Sequence, residues 1–201
     1  KKFKNILPIC VIILLVLFMA RRYLMYGTPH EFLAGELKWT FEGNYDFTME
    51  LVNSISRYQA LPLWSQIYSG PNFVFTSNIH MIGKALLYFL THSHPLSVKI
   101  YQIIFFMLSG IGMYLLANYI YKSRFTALFC SIIYMFTPFF IGEMLSFITY
   151  TSTYFCLPLA YYFIFKALDS EEYIFYGLIA SLIITFNALG HPQNIFIGGL
   201  F

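Results

Sequence analysis

The sequence predicts an all-α polytopic membrane protein, and three observations carry that expectation. Of 201 residues, 59% are apolar and 21% aromatic, yet only 10% are charged. An ordinary globular domain is about a quarter charged, so this chain lacks the side chains to clothe a water-facing surface, and lipid is expected to cover it. Second, the apolar residues fall into runs of about twenty, the length an α-helix needs to cross a bilayer. Third, the formal net charge of +3 is weak and dispersed, without the clustered Lys and Arg that give a nucleic-acid groove its affinity; nucleic acid is excluded as the main partner. Cys10, Cys130 and Cys156 all lie inside apolar runs and read as small hydrophobes rather than as a disulfide framework.

The first expected span covers residues 5–26. Its basic start, Lys1, Lys2 and Lys4, resembles a signal peptide, but Arg21-Arg22 follows the apolar run where a small-residue cleavage site would stand, so a retained span is expected. Residues 27–95 form the polar region, expected as a large first outer loop, with Glu31, Glu36, Glu42, Asp46, Glu50 and both tryptophans. Two surface helices are read within it. About 46–58, Asp46 is placed to cap a helix whose apolar face is Phe47, Leu51, Ile55 and Tyr58, opposite Glu50, Asn53, Ser54 and Arg57. About 77–90, Ile79, Ile82, Leu86 and Phe89 share one side, and His80 and Lys84 another. Between the two helices, Leu61-Pro62-Leu63-Trp64 through Gly70-Pro71 reads as an ordered turn with interfacial anchors.

The apolar part of that second surface helix, Ile79 to Leu90, is about 18 Å long as a helix, against a hydrocarbon core of roughly 30 Å, and is not expected to cross. With it outside, Lys1, Lys2, Lys4, Lys122, Arg124 and Lys166 all fall on one side, which is then cytoplasmic. Further spans are expected at about 96–121, 125–141, 147–168 and 173–189, and a sixth begins after 191. The chain starts without Met and stops inside the apolar run Asn194 to Phe201, so it reads as part of a longer protein of the cell membrane, multi-pass with a cytoplasmic N-terminus. Ser109, Gly110 and Gly112 form a small-residue patch suited to close helix packing.

The order of pieces supports a family resemblance. A first span, Asp46 at the start of an outer helix, Ala60-Leu61-Pro62-Leu63-Trp64 with an aromatic-Gly turn, a short apolar helix and Gly112-Met113-Tyr114-Leu115-Leu116 follow one another. Ile133-Tyr134 through Thr137-Pro138-Phe139-Phe140, Leu157-Pro158-Leu159 and Gly190-His191-Pro192-Gln193 come after them. Together they resemble the GT-C glycosyltransferase superfold, and within it the YfhO-like and related archaeal multispan membrane proteins. The chain departs from many relatives in having Phe75-Thr76-Ser77-Asn78 where a paired proline stands.

That resemblance implies a GT-C-like helical bundle that moves a sugar from a polyprenyl-phosphate donor to an acceptor on the outer membrane face. Asp46 matches the family's first-loop acid and is the candidate general base, since the acceptor hydroxyl must lose its proton as the sugar carbon gains oxocarbenium character. By residue type alone Asp46 is equally a helix cap. Glu50, Arg57, Lys84, Glu143 and His191 are the candidate substrate contacts. Arg57, Lys84 and His191 supply cationic or N–H donors for a phosphate near the bilayer surface, although snorkelling also explains Arg57 and Lys84, and His191 also suits a helix end at the water boundary. Glu50, one helical turn after Asp46, is placed to share a divalent cation with it, while His92-Ser93-His94 lacks a third ligand; no resident metal or other cofactor is expected. Membrane lipid and other membrane subunits are the further partners. The rival function is a non-catalytic multispan subunit that anchors or scaffolds a surface or secretory assembly. Mid-membrane charges and broken spans, which mark transport paths, are nearly lacking.

Overall fold

The computed structural model describes residues 3–25, 48–49, 51–58, 64–65, 70–71, 79–137 and 148–190. Among these residues the chain is all-α apart from one two-residue ladder. Seven helices occur: α1, Phe3–Met25; α2, residues 48–49 and 51–58; α3, Ile79–Thr91; α4, His94–Tyr121; α5, Arg124–Met135; α6, Ile148–Leu168; and α7, Tyr173–Gly190. The ladder pairs β1, Trp64–Ser65, with β2, Gly70–Pro71, antiparallel and in the register Trp64 opposite Pro71. It closes the proline- and glycine-bearing turn that the sequence marks there.

The helices are joined by turns whose chemistry is local. His92 takes a left-handed conformation, φ 51°, and its N–H reaches back to Tyr88 O at 2.8 Å, which ends α3. Thr91 Oγ1 donates to Ser93 O, and Pro95 sits in the first turn of α4, where no amide is missed. Lys122 repeats the left-handed stop at the end of α4, and the Ser123 hydroxyl oxygen accepts from the Thr126 N–H to cap α5. The sequence expectation for this span, 125–141, overran: α5 ends at Met135, two residues before Thr137, which precedes Pro138 and is steered out of helical conformation by the proline ring.

The central helix is α4, with α1, α3, α5 and α6 packed around it and α7 packed on α6. Side-chain pairs fix the directions. Ser131 of α5 donates to Gly110 O at 2.7 Å, and the two-residue turn makes α5 antiparallel to α4. Gly112 faces Leu159, and further along Tyr119 donates to Asp169, so α6 runs parallel to α4. Phe163 stacks on Tyr176 and Phe105 on Phe186, which brings α7 back the other way. A Cβ on Gly110 would fall 2.2 Å from Met135 Sδ and 2.9 Å from Ile12 Cγ2, and one on Gly112 would lie 3.0 Å from the Leu159 backbone nitrogen. The small-residue patch is therefore the point of closest approach of four helices.

On α5 and α7 the inward residues are mostly smaller than the outward ones, whereas the central α4 buries Tyr101, Ile103, Phe105, Phe106 and Tyr114. On α5 the buried stripe is Ala127, Ser131 and Met135, while Phe125, Phe129 and Ile133 point outward at the same four-residue spacing. On α7, Ala180 is buried, and Ile174, Phe175, Leu178 and Leu182 are exposed. Leu14, Leu17 and Phe18 do the same on α1, opposite buried Ile12, Val16 and Ala20. By length and composition one helix among the described residues, α4, can cross a membrane; Ile6–Arg21, Arg124–Met135, Cys156–Leu168 and Tyr173–Phe186 are shorter apolar stretches.

Candidate functional site

Most of the buried polar residues among the described ones lie on α2, α3 and the first third of α4, apart from Ser109 and Ser131. α3 folds back along α4 as a hairpin: Gly83 lies against Tyr101, and a Cβ there would sit 2.5 Å from the tyrosine ring. Lack of a side chain at Gly83 thus makes room for the Tyr101 ring. α2 covers α3 through a second apolar cluster, Leu51 and Val52 packed with Ala85, joined by Ile55, Ile82 and Tyr88. Thr48, at the start of α2, is also fully buried.

Lys84 sits inside this junction. Its side chain is 0% exposed, and its Nζ lies 5.9 Å from the centroid of the Tyr101 ring. Burial pushes the ammonium down from its ordinary 10.5 to about 7, because the charged form loses its hydration. Lys84 does not snorkel outward; it points in with Ala85, while Leu86 and Phe89, placed by the sequence on the apolar side of a surface helix, are exposed on the bundle. The reason is the contact with α2: Leu51 and Val52 select the Lys84–Ala85 side, since Ala85 leaves room for them.

The face of α2 shifts for the same reason. Thr48, Leu51 and Val52 are buried with Ile55 against them, whereas Tyr58, read as part of the apolar face, is 74% exposed. Arg57 is on α2 and exposed, so it is not brought into the buried junction with Lys84. Asp46, Glu50, Glu143 and His191 lie outside the described residues.

At the start of α4, sequence reasoning weighed His94 only as part of an incomplete metal pair and passed over Ser97 and Gln102. His94, Ser97, Lys99 and Gln102 are all buried, with Tyr101 among them, and the Ser97 hydroxyl donates to His94 O at 2.8 Å. The available signal was their grouping: beyond Gln102, α4 is almost wholly apolar up to Asn118. Their angular positions differ, since at 100° per residue His94, Ser97, Val98 and Tyr101 share the side toward α3 and Lys99 lies nearly opposite Tyr101.

Chemically, the junction offers one amine held dry beside an aromatic ring. An amine near neutrality takes up a proton when an anion arrives and then gives charge-assisted hydrogen bonds to it. Among the described residues no group of three or more His, Cys, Asp or Glu is placed to hold a metal ion. Comparison with known proteins gives no match, whether to a family model, to a curated protein or to a solved structure.

Proposed function

We propose that the chain is the membrane-embedded part of a GT-C-like glycosyltransferase, multi-pass in the cell membrane with a cytoplasmic N-terminus. In this reading it takes a sugar from a polyprenyl-phosphate donor and transfers it to an acceptor on the outer face. The observation that carries the proposal is the buried Lys84 amine at the α2–α3–α4 junction, at one end of the helix long enough to cross a bilayer. A lipid-borne phosphate is a fitting anion for it: the prenyl chain partitions into the bilayer, and the phosphate restores the proton that burial removes from the amine.

The multi-span reading is supported by the large apolar residues that α5 and α7 turn outward. In water, apolar side chains as large as Phe125, Phe129, Leu178 and Leu182 would be turned inward by the hydrophobic effect; in lipid nothing drives them in, and small residues win the interior because they let helices approach. Asp46 is the proposed general base, with Glu50, Arg57, Glu143 and His191 as further substrate contacts.

Transfer from a polyprenyl-phosphate sugar in membranes carrying equal amounts of full-length variants tests the assignment. Asp46→Asn keeps size and some capping ability but removes the basicity, and is expected to slow transfer by about 10² to 10⁴ while insertion persists. Wild-type rates for Asp46→Asn remove it as the base. Undetectable transfer by the unmodified protein across several donors favours the non-catalytic scaffold.

A further inference from the structure

The two ends of α4 differ in a way that fixes its depth in a bilayer. At its last turns a collar of tyrosines and cations closes the bundle. Tyr119 donates to Asp169, Lys122 Nζ lies 4.2 Å from the Tyr119 ring, and Lys166 Nζ lies 4.9 Å from the Tyr176 ring and 5.8 Å from that of Tyr162. Residues with an apolar ring or stem and a polar tip collect at the membrane–water boundary, where each part meets its own solvent. At its first turns α4 carries the buried polar group His94, Ser97, Lys99 and Gln102.

Lys99 and Tyr119 are separated by twenty residues, about 30 Å at 1.5 Å per residue, which is the thickness of the hydrocarbon core. The whole helix, 28 residues, spans about 42 Å, the thickness with headgroups included. The outward Phe, Leu and Ile of α5 and α7 occupy the interval between these two levels, since both helices begin at the collar.

We infer that the bundle meets the bilayer in this register: acyl chains surround it from the level of Lys99 to that of Tyr119, and the turn end of the α3–α4 hairpin stands in the headgroup layer of the opposite, outer leaflet. Because Gly83 lies against Tyr101, two residues inside Lys99, Lys84 is close to the outer boundary of the acyl chains, and Leu86, two residues nearer the hairpin turn, is at that boundary rather than at the mid-plane. The partner that this surface fits is a lipid bilayer, and the ligand that reaches Lys84 is a phosphate carried by a lipid of the outer leaflet. The inference rests on the multi-span reading and adds to it the depth of the site.

Site-directed nitroxides on the full chain in phospholipid vesicles test it, with the three cysteines replaced and one label at a time at Phe125, Ile133, Ile174, Leu182 and Leu86. All five positions are exposed or point outward, so the labels displace no core contact. Contact with dissolved oxygen relative to a water-soluble nickel chelate is expected to rise from Phe125 to Ile133 and from Ile174 to Leu182, each pair about 12 Å apart along its helix, and Leu86 is expected to match Phe125. A Leu86 label as deep as the Leu182 label overturns the register while leaving the multi-span reading in place. The absence of any gradient along both α5 and α7 overturns the multi-span reading itself, and the register with it.

Discussion

Replacing Lys84 by Met tests whether the amine is held dry. The native ammonium is lowered from 10.5 to about 7 by burial, so between those values the unfolded chain holds a proton that the folded chain has released. Stability therefore rises with pH across that window, by about 1.4 kcal/mol per pH unit for one group. Below pH 7 both states are protonated and the full cost of burying the charge is present; above 10.5 both are neutral and the cost is gone. Met keeps the length of the stem and cannot ionise. Relative to the variant, the native protein is expected to gain stability as the pH rises from 7 to 10, by about 1.4 kcal/mol per pH unit. Loss of helical circular dichroism on heating, measured for both proteins in the same detergent at pH 7, 8.5 and 10, reads the difference and cancels every other titrating group. A difference that does not change with pH refutes the reasoning.

Four further outcomes follow from the packing and the topology. Gly112→Val puts methyls into the Leu159 backbone and is expected to cost about 1 to 3 kcal/mol, whereas Gly177→Ala, where nothing lies within 4 Å of the new Cβ, should be neutral or stabilising by up to about 1 kcal/mol; unfolding midpoints in detergent compare the two. Ser131→Ala loses the interhelical bond to Gly110 O and should cost about 0.6 to 2 kcal/mol in the same measurement. Tyr119→Phe frees Asp169 at an exposed site and should cost no more than about 1 kcal/mol. A cysteine placed at Ser123 should resist membrane-impermeant reagents in intact cells, because the turn between α4 and α5 is on the cytoplasmic side of the proposed topology.

The positions of the helices were legible because length and apolarity suffice to mark them: the runs at 96–121, 147–168 and 173–189 coincide with α4, α6 and α7 to within two residues. Their faces were not. A helix in water announces its buried side by polarity, but on α5 the buried Ala127 and Ser131 and the exposed Phe125 and Phe129 differ in size first, and a hydrophobic period reads such a helix backwards. On α3 the sequence marked an apolar side with Leu86 and Phe89, but not that Lys84 and Ala85 would be the side packed against protein. That choice is made by Leu51 and Val52, more than thirty residues earlier in the chain, and no local pattern contains it. Of the candidate site, Lys84 was named from its charge near a membrane surface, but its burial came only from the tertiary contact, and Ser97 and Gln102 lay inside a span read for its length and apolarity.

The central claim is that Lys84 receives a lipid-borne phosphate, and binding of a polyprenyl-phosphate sugar to the full chain in nanodiscs tests it most directly. A charge-assisted hydrogen bond is worth about 1.5 to 3 kcal/mol, so Lys84→Gln, which keeps a polar head without the charge, should weaken binding by about 10- to 100-fold. The same prenyl chain without its phosphate should bind the native protein and the variant alike. Equal affinity of both proteins for the phosphorylated lipid would contradict the account.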